Sequence, residues 1–425
     1  MIRKMACVLL SVVVLIVSLV GCGGTAVGPA APSGDMDAND KFKGESIILY
    51  IRMMDAQDKW FRDNTIADFQ QEYGVDVTVK TFETEAELMH ILQMDEGKSG
   101  IGVVKSPESS VFPYKLGGYS MPIQDVPNVD MEAIKAKYDA RALAAVTDAD
   151  GTWGLPRKAE NMTLVYVKSK VADAVANWES KRGLIEAAFA AENGVGLPEG
   201  YALEADPNEW DWYDLAVVGL YWANTEYNGK TQGRIAHRTR IYEGTTVELM
   251  NKVYAIGGTP DDMTDPTSSA VVETMKWEIF SVKNNIYLST MWEEMWSGGG
   301  IWNAFASGDV YLAFMSQMDA FFIHGGSSPD MPGYLADPDD MGVAIMPQGA
   351  SLELKDGQPA VTGSHASYSN GWYWMIPKTA PNPELSLALI EFITSDKYHM
   401  AEAKTFGIMP VTNYVLNNLS SLDEP

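Results

Sequence analysis

Ile66-Ala-Asp-Phe-Gln-Gln-Glu-Tyr-Gly-Val-Asp-Val-Thr-Val79 is the stretch that decides the fold of this chain. Its first half belongs to a helix, because Trp60, Phe61, Ile66, Phe69 and Tyr73 recur near helical spacing. Gly74 stops that helix, since glycine takes the left-handed conformation that closes a last turn. The second half is a strand in which Val75, Val77 and Val79 alternate with polar residues. Working outward, Ile47-Ile48-Leu49-Tyr50-Ile51 is an apolar strand on the N-terminal side. On the other side Glu83–Met94 has a helical pattern and Ile101-Gly-Val-Val104 is a further short strand. Strand, helix, strand, helix, strand in this rhythm predicts an α/β layer with mostly parallel pairing.

Further along, Pro122-Ile123 and a helix over Met131–Val146 close this block. Gly151-Thr-Trp-Gly-Leu-Pro156 breaks any helix, and Thr163-Leu-Val-Tyr-Val-Lys168 resumes as a strand. The middle of the chain is helix-rich, with helical patterns over Ala172–Ala191, Asp211–Thr225, Thr246–Ile256, Ser268–Val282 and Met291–Phe305. Strands return at Val310–Phe314, Gly342–Met346 and Tyr368–Ile376, followed by helices over Glu384–Thr394 and Lys397–Phe406. No repeat of solenoid length is visible. Asp337-Pro-Asp-Asp340 reads as a solvated turn, because its spacing does not match a calcium-binding loop.

At the N-terminus, Arg3 and Lys4 precede an apolar run from Ala6 to Val20, which makes 1–21 a secretory signal peptide. The run is shorter than the ~20 residues of a comfortable membrane span. Leu19-Val-Gly-Cys22 resembles the lipobox of bacterial lipoproteins, which implies an acylated Cys22 as the mature N-terminus. An uncleaved anchor with a chance cysteine is the alternative. Residues 22–44 lack any apolar period and read as a flexible, lipid-anchored linker.

The chain has 425 residues, enough for two cores. Hydrophobic residues at 46% and charged residues at 21% describe a globular protein without disordered bias. The net charge of −26 argues against nucleic acid and against docking on anionic lipid through the protein surface. There are only two cysteines, Cys7 in the signal and Cys22 at its end, so no intrachain disulfide is expected.

Several separated stretches together resemble the maltose-binding-like, family 1 extracellular solute-binding proteins of bacterial ABC importers. These are Ile66–Val79, Gly151–Pro156 with Leu164–Lys168, and Phe305-Ala-Ser-Gly-Asp-Val-Tyr-Leu-Ala-Phe-Met315. The fullest is Asn370-Gly-Trp-Tyr-Trp-Met-Ile-Pro-Lys378, followed by Asn382-Pro-Glu and Gly407-Ile-Met-Pro410. The resemblance implies an α/β, two-lobe periplasmic-binding-protein-like fold of type II, with lobes joined by crossing strands and ligand in the cleft. Lobe one is then 45–152 with 373–412, lobe two is 160–365, and 413–425 is a C-terminal tail. It further implies an extracytoplasmic binding lipoprotein without cofactor or metal. Its partners are a saccharide, ABC permease subunits and, through Cys22, the lipid bilayer, and it acts as a monomer.

A sugar cleft needs aromatic faces for the apolar side of a ring, and polar groups to replace the water its hydroxyls lose. The candidates at the first crossing are Trp153, Arg157, Glu160 and Asn161. Trp372 and Tyr373 stand at the last crossing, and Gln317 follows the Phe305–Met315 stretch. Trp212, at a helix start within Glu209-Trp-Asp-Trp-Tyr213, resembles a family position. For any one tryptophan a core role is the competing reading. Trp292 and Trp296 in Met291-Trp-Glu-Glu-Met-Trp-Ser-Gly-Gly-Gly300 are four apart and share a helix face, either a stacking platform or a core stripe. The glycine triple reads as the stop of that helix.

Two other classes stay open on the sequence, an extracellular carbohydrate-active enzyme and a ligand-sensing module for a signalling receptor. Neighbouring carboxylates such as Glu293 and Glu294 do not face each other on a helix, and the five histidines show no metal-ligand pairing. No Gly-x-Ser-x-Gly elbow is present.

Overall fold

The computed structural model describes residues 41–325, 331 and 333–421. The signal peptide, Cys22 and nearly all of the linker lie outside the described residues, as does the end of the tail.

The opening stretch folds as its pattern predicts. Helical residues run from Asp55 to Tyr73, with a wider π turn at Phe61–Ile66, and Gly74 closes them at φ 62°. Strand Ser46–Ile51 pairs in parallel with Asp76–Thr81 on one side and with Ile101–Pro107 on the other. The central sheet then runs, in spatial order, 76–81, 46–51, 101–107, 369–377, 155–167, 312–316 and 235–236. Strand Ser369–Pro377 is antiparallel to both its neighbours, whereas Ile235–Ala236 and Leu312–Ser316 are parallel.

Two strands join the two halves, and one of them is long. Leu155–Val167 has 13 residues, or roughly 40 Å at a strand's rise per residue. Its first half pairs with Ser369–Trp374, and Met162–Tyr166 pairs with Leu312–Ser316. The chain therefore crosses earlier and as a longer strand than the expected resumption at Thr163. Gly151-Thr152 instead forms a tight hairpin with Thr147-Asp148 before it. Opposite Trp372–Tyr373 the register slips from Lys158 to Pro156, so Arg157 is the extra residue of a bulge.

Two faces of the first half carry cores. One gathers Leu49, Phe61, Phe69, Trp374 and Ile390; the other gathers Leu88, Val104, Tyr114 and Tyr373. A larger core around Trp210, Val217, Trp222, Phe280 and Phe314 draws its buried residues from 162 to 352. Its most buried helix, Trp212–Ala223, starts at a capping box formed by Asp211 and Asp214.

Three expectations are corrected. The helix expected over Met291–Phe305 is two pieces, Thr290–Glu293 and Gly298–Ala306, parted at Met295 with φ 49°. Gly298-Gly299-Gly300 thus starts a helix and does not stop one. The reason is packing: a Cβ on Gly300 would stand 2.5 Å from a carbon of the Trp296 ring, so only glycine lets the helix begin there. Residues 413–417, expected in a tail, form a short helix held to lobe one. There the Asn413 side chain donates to the Ala136 and Tyr138 carbonyls. Among the described residues no helix is long and apolar enough to cross a membrane.

Candidate functional site: a cation-lined cleft between the lobes

The C-terminal ends of parallel strands face one another across the crossing, where open α/β sheets place their ligand crevices. From lobe one come Arg52, Met53 and Gln57, just after strand Ser46–Ile51, and Lys105 of strand Ile101–Pro107. From lobe two come Arg238, which follows strand Ile235–Ala236, and Ser316 with Asp319 at the start of helix Gln317–His324. Lys158 and Glu160 of the long crossing strand and Trp372 of the return strand complete the wall. They enclose a cavity of about 360 Å³. A second pocket of about 130 Å³ adjoins it, sharing Arg52, Glu160, Arg238, Tyr242, Ser316 and Trp372 and adding Asn161 and Asn370.

At one end Met318 and Phe322 of lobe two pack with Phe406 and Ile408 of lobe one, an apolar contact between the halves. A hydrogen bond from Ser109 to Glu243 also spans them, 2.7 Å long. Trp302 stands over this end, its ring 5.5 Å from that of Phe322.

The carboxylates of the main cavity are already engaged. Asp319 accepts from Arg238 at 2.5 Å, from the Ser316 hydroxyl at 2.6 Å and from the Trp302 indole at 3.1 Å. Glu160 accepts from Lys158. Burial would raise the Glu160 pKa, but Lys158, Lys105 and Arg238 outweigh it and hold the carboxyl below its usual range. Arg238 also pairs with Glu248 at 3.2 Å. Burial is the main cause that pushes Glu248 up to about 8.

Lys105 differs from these groups. It is 2% exposed, its Nζ donates to the Arg52 carbonyl at 2.5 Å, and it lies 4.1 Å from the Trp372 ring centre. Burial, then the charges of Arg157 and Lys158, push its pKa well below the ordinary lysine value. The Arg52 guanidinium stands 5.3 Å from the same ring.

Of the residues singled out in the sequence, Glu160 and Trp372 line the main cavity and Asn161 the adjoining one. Arg157 is one layer behind, buried and ion-paired with Glu402, which also accepts from Gln57 of the cavity wall at 2.7 Å. Gln317 braces the crossing strand: it accepts from the Asn161 amide at 2.8 Å and donates to the Ala159 carbonyl at 3.1 Å. Tyr373 points to the opposite side, into a rear cavity beside Glu108, and donates to the Ala142 carbonyl at 3.0 Å. Trp153 donates to Asp148 at 3.1 Å, under the Lys115 ammonium, away from both cleft pockets. Trp212 is buried edge-on to Trp277 in the core of lobe two.

The shared face proposed for Trp292 and Trp296 does not exist, because the helix ends between them. Trp292 is 43% exposed and stands against His237, whereas Trp296 is buried beneath the glycine triple and donates to Glu294. Arg52, Gln57, Lys105, Lys158, Arg238, Tyr242, Trp302 and Asp319 were not foreseen. Two carried a legible signal: Arg52 directly follows an apolar strand, and Lys105 is a charge inside one. Among the described residues no three His, Cys, Asp or Glu side chains gather as a metal would require.

Sequence and structure comparisons agree with the two-lobe fold. The chain belongs to the bacterial extracellular solute-binding proteins, whose family model matches residues 64–421. Its fold is shared with an ABC transporter solute-binding protein of Thermotoga lettingae in complex with α-D-tagatose. The two are 20% identical with a TM-score of 0.64, over 89% of this chain and 85% of that one. Maltose-bound MalE3 of T. maritima is 15% identical with a TM-score of 0.64, again over 89% and 85%. The GacH receptor of Streptomyces glaucescens, described with and without acarbose, is 17% identical with a TM-score of 0.62, over 89% and 83%. No protein of curated function matches the chain by sequence.

Proposed function

We propose that this protein captures a saccharide in the interlobe cleft and hands it, in a closed form, to the permease of an ABC importer. The observation that carries the reading is Trp372. Its indole lines both pockets of the cleft, among hydrogen-bonding groups from both lobes and both crossing strands. An aromatic face with a ring of polar groups is the arrangement that stacks on a sugar and replaces its water. The tagatose, maltose and acarbose complexes of the structural relatives support the same class. The main cavity, about 360 Å³, suits a few sugar units.

In this reading residues 45–152 with 373–412 move as one body and 160–365 as the other, turning about the crossing strands. Cys22 holds the molecule to the membrane through its acyl chains, and the protein acts as a monomer. In this reading no bond of the ligand is made or broken, and both carboxylates of the main cavity are ion-paired, with Arg238 and Lys158. Thermal-shift screening against mono- and oligosaccharides and polyols tests this, because a ligand bound only by the native state raises the melting temperature. At least one saccharide should raise it and remain chemically intact after prolonged incubation. Stabilisation only by non-carbohydrate solutes, or turnover of a saccharide, would overturn the reading.

A further inference from the structure

The lining of the main cavity holds four basic side chains and two carboxylates. That excess is opposite in sign to a chain of net charge −26. Its source can be located. Arg238 is matched by Asp319 and Glu248, and Lys158 by Glu160. Lys105 has no ion pair among the described residues, and only one of its three N–H groups has an acceptor, the Arg52 carbonyl. Arg52 makes a single long pairing, 3.6 Å to Glu85, and its guanidinium donates no hydrogen bond to a carboxylate among the described residues.

A lysine this deep, with no carboxylate in contact among the described residues, is a poor neighbour for a neutral ligand. A neutral sugar seals it further from water and supplies no charge. An anion reverses the balance: it favours the protonated form of Lys105, takes the N–H groups that the Arg52 carbonyl leaves over, and meets Arg52 beside it. Trp372 lies against both cations, with Lys105 4.1 Å and Arg52 5.3 Å from its ring centre. Both sit over the indole, so a sugar that packs against the part of Trp372 left exposed comes within reach of them. The acid that fits is one fixed to the ring itself.

We infer that the ligand is an acidic saccharide, a uronate-containing oligosaccharide whose carboxylate is held by Lys105 and Arg52 while its ring packs against the exposed part of Trp372. The inference rests on the saccharide reading above and narrows it to one chemical class.

The test is calorimetric titration of the full mature chain with matched pairs. Oligogalacturonate and alternating glucuronate–N-acetylglucosamine oligomers are each compared with their carboxyl-reduced forms, beside maltooligosaccharides and a sulfated neutral oligosaccharide. At least one uronate should bind about 10- to 100-fold more tightly than its reduced partner, the worth of a charge-assisted hydrogen bond or two. Lys105→Met keeps the length of the side chain and removes the charge. Arg52→Gln removes the charge with a shorter, polar side chain, at a partly exposed position. Each should shrink the ratio of acid to neutral affinity, with melting temperature confirming that the variant is folded. Equal affinities within every pair would overturn the inference, and so would binding of the neutral or sulfated sugars alone. A ratio that survives both substitutions would do the same. If no saccharide of any charge binds, the saccharide reading itself fails, a result distinct from neutral sugars binding while uronates do not.

Discussion

Trp372 and Trp374 are two residues apart on one strand and face the same side of it, yet they should answer substitution in opposite ways. Trp372 lines the cleft, whereas Trp374 is fully buried and stacks on Phe61 with ring centres 6.2 Å apart. Trp372→Ala removes a stacking surface, worth about 1–3 kcal/mol by analogy with aromatic platforms under nucleic-acid bases. That is roughly a 5- to 150-fold rise in Kd. Its cost to the empty protein is small, because the Lys105 and Arg52 contacts it loses can be replaced by water entering the cleft. Trp374→Ala instead leaves a cavity in a packed core, costing about 3–5 kcal/mol. At about 2–4 °C per kcal/mol for a lobe of this size, the melting temperature falls by roughly 6–20 °C. Calorimetry with whichever saccharide the screen identifies, and unliganded thermal melts of both variants, separate the two effects. A Trp372→Ala protein with intact affinity and a large loss of stability would refute the assignment of its indole to the ligand.

Glu402→Leu should destabilise the protein by about 3–5 kcal/mol, because Arg157 is left as an unpaired buried charge. The double variant with Arg157→Met should recover most of that in denaturant melts, and strictly additive costs would show that the pair is not coupled. His399 is fully buried, and mainly for that reason its pKa falls to about 3, so between that value and the ordinary 6.5 the unfolded chain binds the extra proton. Stability should therefore fall as pH drops below about 6.5, and His399→Gln should flatten that slope in thermal melts. An unchanged slope would remove His399 as its source. Cys22→Ala should move the protein from the membrane to the soluble fraction, since stable residence needs acyl chains; retention in the membrane would sink the lipobox reading.

The α/β opening was legible because it is written in local periodicity, from Ile47 to Val104, and because Gly74 has one structural meaning there. The crossing was legible in place but not in length. Arg157 interrupts the apolar pattern, and only the pairing with Trp372 and Tyr373 reveals it as a bulge within a continuous strand. Glycine runs are ambiguous by nature. Gly298–Gly300 suits the end of a helix as well as a beginning, and the deciding neighbour is the Trp296 ring folded over Gly300. The cleft was half legible for a similar reason. Glu160 and Trp372 belong to motifs, whereas the significance of Lys105 depends on Arg52 and Trp372, which reach it from distant parts of the chain.

The position of strand Ser369–Pro377 sets an order of assembly. It lies between Ile101–Pro107 and Leu155–Val167 in space, yet Tyr373 meets Glu108 across a sequence separation of 265 residues. At ribosomal rates of about 5–20 residues per second, that interval is roughly 13–53 s. For that time the fully buried Ile101–Pro107 has a free edge on the side its last neighbour will fill. The second lobe, contiguous in sequence, can close its core first. The vulnerable species is therefore a chain with one finished lobe and one open sheet, an exposed edge of the kind that chaperones or foldases would need to shield.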